Sequence, residues 1–273
     1  MLKFLCFGSG SSGNCYYLEN EDTQEAILID AGVGIRKMKR FTKEFGIDMS
    51  KVKGLVITHD HADHVKAAGC ISNELNIFTY TTEKIHRAMA NNFGNTASQK
   101  GINPANAISI DKEEEFTIGG FHITAFPIPH DSTENVGYEI CCGGKKFTIM
   151  TDVGMPTDTI KKYIGKANYL VLEANYDEEM LKDGPYPQIL KDRITSGTGH
   201  LSNSQCANLL LENLHPELSN VWLCHLSEEN NHPELAKKTV EYHLRTFGII
   251  AGKDFELEVL KRQTPSGPWE LSL

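Results

Sequence analysis

The sequence predicts an α/β fold, arranged as a four-layer α/β/β/α sandwich. Short apolar or β-branched runs bounded by turn residues fall into two blocks, and each block is accompanied by segments with helical spacing. A chain of 273 residues, 40% of them hydrophobic and 23% charged, can bury two sheets under helices without disulfide staples. No repeat, low-complexity tract or linker interrupts it, so residues 1–273 are expected to form a single domain.

Residues 2–7, 15–19 and 26–30 read as strands. The first two are separated by a Gly/Ser-rich turn, the second and third by a polar stretch. Residues 35–45 show helical spacing and stop at Gly46. Residues 52–58 form a nearly continuous apolar run, the mark of a buried strand, and a helix is expected from about Val65. A strand at 77–80 and a helix at 83–92 follow. Five strands come next, at 107–110, 115–118, 122–128, 136–142 and 146–151, with the acidic run 113–115 as a solvated turn. The second half alternates. Helices are expected at 157–164, 186–194, 203–214 and 233–247, and strands at 169–173, 221–224 and, as the last element, 255–260.

Charge and composition exclude some functions. With 27 basic against 36 acidic residues the net charge is −9, which excludes a broad basic face that coats nucleic acid but leaves room for a local positive site. No apolar run approaches the roughly 18 residues of a bilayer span. The N-terminus, with one Lys and a very short apolar run, does not read as a secretory signal. Seven cysteines, an odd number without a Cys-x-x-Cys pair, read as small core residues in a reducing cytoplasm.

The strongest chemical signal is His59-Asp60-His61-Ala62-Asp63-His64, directly after the buried strand at 52–58. Imidazole and carboxylate are the usual ligands of zinc and similar ions. In an extended segment His59 and His61 point the same way and can share one metal, while Asp63 and His64 can face a second as the chain turns into the helix. His130, Asp152 and His225 also end apolar runs. Any one of them alone would more often be a loop or capping residue; beside the hexad they become candidate ligands.

These residues resemble the metallo-β-lactamase superfamily over essentially the whole chain. By that resemblance His59, His61 and His130 would hold a first metal, Asp63, His64 and His225 a second, and Asp152 would bridge them. Two divalent ions per chain are implied, zinc foremost, with manganese or iron admitted by the carboxylates. Asp152 as bridge resembles the phosphodiesterase and glyoxalase II branches, and the latter's helical C-terminal domain has little room here. Glu173, in Val171-Leu-Glu173-Ala-Asn, and His200, in Gly199-His200-Leu-Ser-Asn-Ser-Gln205, resemble the proton-donating pair of the tRNA-processing nucleases. The segments Gly8-Ser-Gly-Ser-Ser-Gly-Asn14, Gly184-Pro-Tyr-Pro187 with Leu190-Lys-Asp-Arg193, and His225-Leu-Ser-Glu-Glu-Asn-Asn231 are similar to the YycJ/WalJ-like subfamily of DNA exonucleases.

The resemblance implies a phosphodiesterase that uses a hydroxide held between two metals as nucleophile, with Asp63, Glu173 and His200 as catalytic groups. It implies a DNA substrate in preference to RNA and degradation from 5′ to 3′. Ser11, Ser12 and Asn14 are candidate phosphate contacts on a loop of flexible backbone amides; Lys191 and Arg193 are candidate contacts to the nucleic-acid backbone. A solvated turn and a solvated helix face are the plain alternatives for these two groups. Two other functions stay open: a small-molecule metallo-hydrolase acting on a thioester, lactone or cyclic phosphodiester, and a non-catalytic metal-binding regulatory protein. The sequence is silent on oligomeric state.

Overall fold

The computed structural model describes residues 1–93 and 101–273. Its strands form two seven-stranded mixed sheets. The first contains β1 (Leu2–Gly8), β2 (Cys15–Asn20), β3 (Glu25–Ile29), β4 (Val52–Val56), β5 (Phe78–Thr81), β6 (Ala107–Ser109) and β14 (Ser266–Leu271), in the order β14-β1-β2-β3-β4-β5-β6. Pairing is antiparallel from β14 to β3 and parallel from β3 to β6. The second contains β7 (Glu115–Ile118), β8 (Phe121–Pro127), β9 (Val136–Cys142), β10 (Lys145–Met150), β11 (Tyr169–Glu173), β12 (Asn220–Cys224) and β13 (Glu256–Val259), in the order β13-β12-β11-β10-β9-β8-β7. From β10 to β13 its strands are parallel. The chain separates into two compact units, one of Met1–Ala125, Ser132–Asn135 and Lys261–Leu273, the other of Phe126–Asp131 and Val136–Leu260.

Helices flank the strands, as the two-block pattern requires. In the first unit α1 (Ile35–Glu44) buries Met38, Phe41 and Thr42 and turns its Lys and Arg residues outward. The helix expected from Val65 begins earlier: α2 (Ala62–Val65) is a single turn that already contains Asp63 and His64. After a break the chain continues as α3 (Ala68–Leu75), and α4 (Glu83–Phe93) falls where helical spacing predicts it.

In the second unit α5 (Asp158–Ile164) starts at Thr157, whose hydroxyl accepts the Ile160 N–H. Two short helices follow, α6 (Glu178–Asp183) and α7 (Gln188–Ile194). The Ser-Asn-Ser-Gln segment is a capping box: Ser202 and Gln205 exchange hydrogen bonds at the start of α8 (Asn203–Asn213). The longest helix among the described residues, α9 (Pro233–Thr246), opens on Pro233, where a missing N–H costs nothing. Leu170 and Leu172 of β11 join Ile160, Leu210 and Val240 in one apolar cluster, and all five residues of β11 are buried, as expected of a central parallel strand.

Two elements escape sequence reading. Strand β14 reads Ser-Gly-Pro-Trp-Glu-Leu, and its Gly-Pro looks like a chain end. It survives because it is an edge strand, where proline's missing donor breaks no ladder. Helix α6 lacks an apolar stripe; Asp177 nucleates it by accepting the N–H groups of Glu179 and Met180. All seven cysteines are free, five of them buried. No helix among the described residues is long and apolar enough to cross a membrane.

Candidate metal centre

In each unit the chemistry-bearing side chains lie where parallel strands end. Asp30 follows β3, Thr58 lies two residues past β4, Asp152 two past β10, Glu173 closes β11, and His225 follows β12. The carboxyl ends of parallel strands are where an α/β sheet offers its binding crevice. Asp30, Asp152 and His225 have left-handed backbones, with φ of 57°, 56° and 53°. For non-glycine residues that conformation is held only where the surroundings enforce it.

In the first unit the organising group is Asp30, fully buried. Its carboxylate accepts the Thr58 N–H at 2.8 Å, the Thr58 hydroxyl at 2.9 Å and His64 Nδ1 at 2.7 Å. Since the Thr58 proton is committed to Asp30, Thr58 Oγ1 accepts from His59 Nδ1 at 3.0 Å. Both imidazoles are thereby fixed with Nδ1 protonated and Nε2 as the basic atom. The His59 ring lies 4.1 Å from that of His64 and 4.6 Å from that of His61, centroid to centroid. Asp60 turns away and accepts the N–H and hydroxyl of Thr133. Replacing Asp30 by Asn should lower metal affinity about 10–100-fold. Competition with a chromophoric chelator measures it, and unchanged affinity would contradict the orienting role.

In the second unit Asp152, Glu173, His200 and His225 bring ligand atoms within 4.8 Å of one another. Glu173 is fully buried and takes four donors. Oε2 accepts the N–H groups of Val153 at 2.8 Å and Leu201 at 3.1 Å; Oε1 lies 2.8 Å from His200 Nδ1 and 2.9 Å from His225 Nδ1. Burial works against a charge on Glu173, but the adjacent His200 and the imidazole hydrogen bonds hold its pKa below the ordinary value. Burial likewise resists a charge on His200, and the Glu173 carboxylate outweighs it and raises the imidazole's pKa. His130 donates Nδ1–H to the Gly199 carbonyl at 3.0 Å, and burial keeps its pKa low, so it is a neutral base.

Buried asparagines hold these segments in place. Asn175 donates to the His225 carbonyl at 2.7 Å, and Asn231 donates to the carbonyls of Ala174 and Asn175 and to Asn203. The sequence segments around Glu173, His200 and His225 are therefore one hydrogen-bonded network.

The donor set fits divalent metal. In the first unit His59 commits Nδ1 to an acceptor and turns Nε2 to coordination, while His64 Nε2 accepts from the Asn14 amide; in the second unit His130 and His225 commit Nδ1 likewise, beside the buried carboxylates of Asp152 and Glu173. Other expected contacts are arranged differently. Ser11 and Ser12 are exposed. Asn14 is fully buried, and its amide donates to His64 Nε2 at 2.9 Å and Asp63 Oδ2 at 3.3 Å. Lys191 donates to the Lys182 carbonyl, and Arg193 makes a two-pronged ion pair with Asp131, the neighbour of His130. Sequence reasoning missed Asp30, Thr58, Asn175 and Asn231. The one signal for Asp30 was its place at a strand end before Ala-Gly.

A beta-lactamase superfamily domain model matches residues 25–221. The chain is 31% identical to exodeoxyribonuclease YycJ of Bacillus anthracis over 266 residues, 97% of each chain. It is 32% identical to exodeoxyribonuclease WalJ of Streptococcus pneumoniae over 258 residues, 93% of each chain. Among solved structures, the metallo-beta-lactamase fold protein YhfI of Bacillus subtilis superposes with a TM-score of 0.68 at 16% identity, over 97% of this chain and 98% of that one.

Proposed function

This chain belongs to the beta-lactamase superfamily, and from that premise we propose that it is a dinuclear metal-dependent exodeoxyribonuclease that degrades DNA from its 5′ end. The observation that carries the reading is Glu173 between His200 and His225, a paired acid and base that an alkoxide-expelling reaction needs and a lactone or thioester hydrolase does not. The curated relatives, similar over nearly their full length, are named as exodeoxyribonucleases.

The family pattern assigns His59, His61 and His130 to one ion, Asp63, His64 and His225 to the other, and Asp152 to both. The reading takes residues 1–273 as a single domain. Divalent cations held there, zinc or manganese, would supply the Lewis acidity that activates water near neutral pH and offsets charge on the phosphoryl oxygens. The protein's own part is the proton. Glu173 keeps His200 protonated at Nδ1, and His200 delivers its Nε2 proton to the departing sugar oxygen, a contribution of about 10²–10⁴-fold. Glu173 at the same time fixes the His225 ring. Free, mostly buried thiols suit the cytoplasm, where we place the protein.

The test incubates DNA and RNA, labelled at either end, with protein loaded with manganese or zinc. Mononucleotides should leave 5′-labelled DNA first, and a chelator should stop the reaction. Release from RNA alone would reassign the polymer. Turnover of a thioester or lactone with intact DNA would favour the small-molecule reading, and no turnover with metal bound would favour a regulatory role.

A further inference from the structure

A cavity of about 600 Å³ opens in the first unit, between the loop that follows β1 and the start of α1. Arg36, Lys37, Lys66 and Arg262 line it, and none of its lining residues is acidic, in a chain whose acids outnumber its bases 36 to 27. Arg36 and Lys37 are exposed and take part in no ion pair among the described residues. Lys66 Nζ donates to the Ser12 carbonyl at 2.5 Å and so ties the Gly/Ser loop to the segment carrying the hexad. The same loop ends at Asn14, which contacts His64 and Asp63. One side of this loop therefore faces four cations and its end rests on two candidate metal ligands. The α1 dipole adds to the same field, since the helix has no acid in its first turn.

We propose that this cavity is a phosphate subsite that grips the nucleic-acid strand beside the bond being cut, with Arg36, Lys37, Lys66 and Arg262 as counterions. The inference rests on the nuclease reading and adds to it a second anchor for the strand. A concave, single-sign lining focuses field and concentrates a polyanion locally even on an acidic protein. A hydrolase of neutral esters has no use for it. Phosphate is the shared chemistry, and its source is either the 5′-terminal monophosphate or an internal phosphodiester.

The test measures binding of metal-loaded protein to a phosphorothioate-linked single strand, which resists cleavage, with and without a 5′-phosphate. Arg36→Glu with Lys37→Glu should weaken binding on the order of tenfold, as expected when two weak exposed contacts of this kind become repulsive. It should also make the salt dependence of log K shallower by about 1.4, the value for two phosphate contacts on a single strand. Lys238→Glu with Lys253→Glu makes the same change in net charge on exposed residues elsewhere and should leave the affinity near that of the unmodified chain. A loss confined to the 5′-phosphorylated strand assigns the terminal phosphate, and an equal loss on both strands assigns an internal one. Affinity equal to the unmodified chain's, an equal loss in the control, or no binding by the unmodified chain overturns the subsite. Cleavage of ordinary DNA by the unmodified chain is scored separately, so a specific loss of binding without cleavage would retain the subsite and reject the nuclease.

Discussion

Glu173→Ala is expected to lower turnover on DNA by about 10²–10⁴-fold and to reduce metal content at the same time. Four donors converge on this carboxylate, and the substitution strands them in a buried site: two backbone N–H groups and the Nδ1 atoms of His200 and His225. Unpaired buried donors cost about 1–3 kcal/mol each, and relaxation offsets part of that, so a stability loss of about 3–5 kcal/mol is expected. Glu173→Gln should fare little better, because its amide would turn a donor toward donors. His200→Ala separates the two roles. Turnover should fall as far, while metal content and melting temperature should move little, because His225 keeps its partner. Metal analysis and kinetics on both variants decide the matter. Full turnover in Glu173→Ala would refute the pairing, and loss of metal in His200→Ala would make that residue a ligand.

Gly32→Ala is expected to destabilise the fold by about 3 kcal/mol and to dismantle the first half of the centre with it. A Cβ at Gly32 would lie 1.5 Å from the Asp63 carbonyl oxygen and 2.7 Å from the Asn14 nitrogen, both backbone atoms that cannot swing aside. Those strands of chain are laced together: Gly32 donates to the Asn14 carbonyl at 2.7 Å, Asn14 to the Asp63 carbonyl at 2.8 Å, and Ala31 to the His64 carbonyl at 2.7 Å. Pushing them apart moves Asp63 and His64 off their partners. Two residues on, Gly34 has nothing within 4 Å of an added Cβ, and Gly34→Ala should cost at most about 1 kcal/mol through its helix-capping position. Urea unfolding with metal analysis compares the two. Equal stabilities would show that the backbone accommodates the methyl group.

The α/β class, most strand and helix positions and the hexad were legible because each is written in local pattern. Apolar runs mark β4 and β11, helical spacing marks α1 and α9, and histidines two residues apart in an extended segment already face one way. What stayed hidden was every group whose meaning depends on a distant partner. Asp30 is one more acid at a strand end until the fold brings it to His64, 34 residues away. Asn14 sits in a loop that reads as a phosphate cradle, yet its amide turns inward onto the hexad. The Glu173–His200 pairing was inferred from resemblance alone, and its sharing with His225 has no sequence signature. Strand β14, which pairs with β1 from the far end of the chain, was missed for the same reason.

The sequence alone determined the kinds of donor available and the periodic elements that carry them, because side-chain chemistry and backbone periodicity are local properties. The tertiary structure alone decided which nitrogen of each imidazole is committed and which carboxylate commits it. A hydrogen bond is specified by angstroms between atoms, and no spacing along the chain encodes that distance.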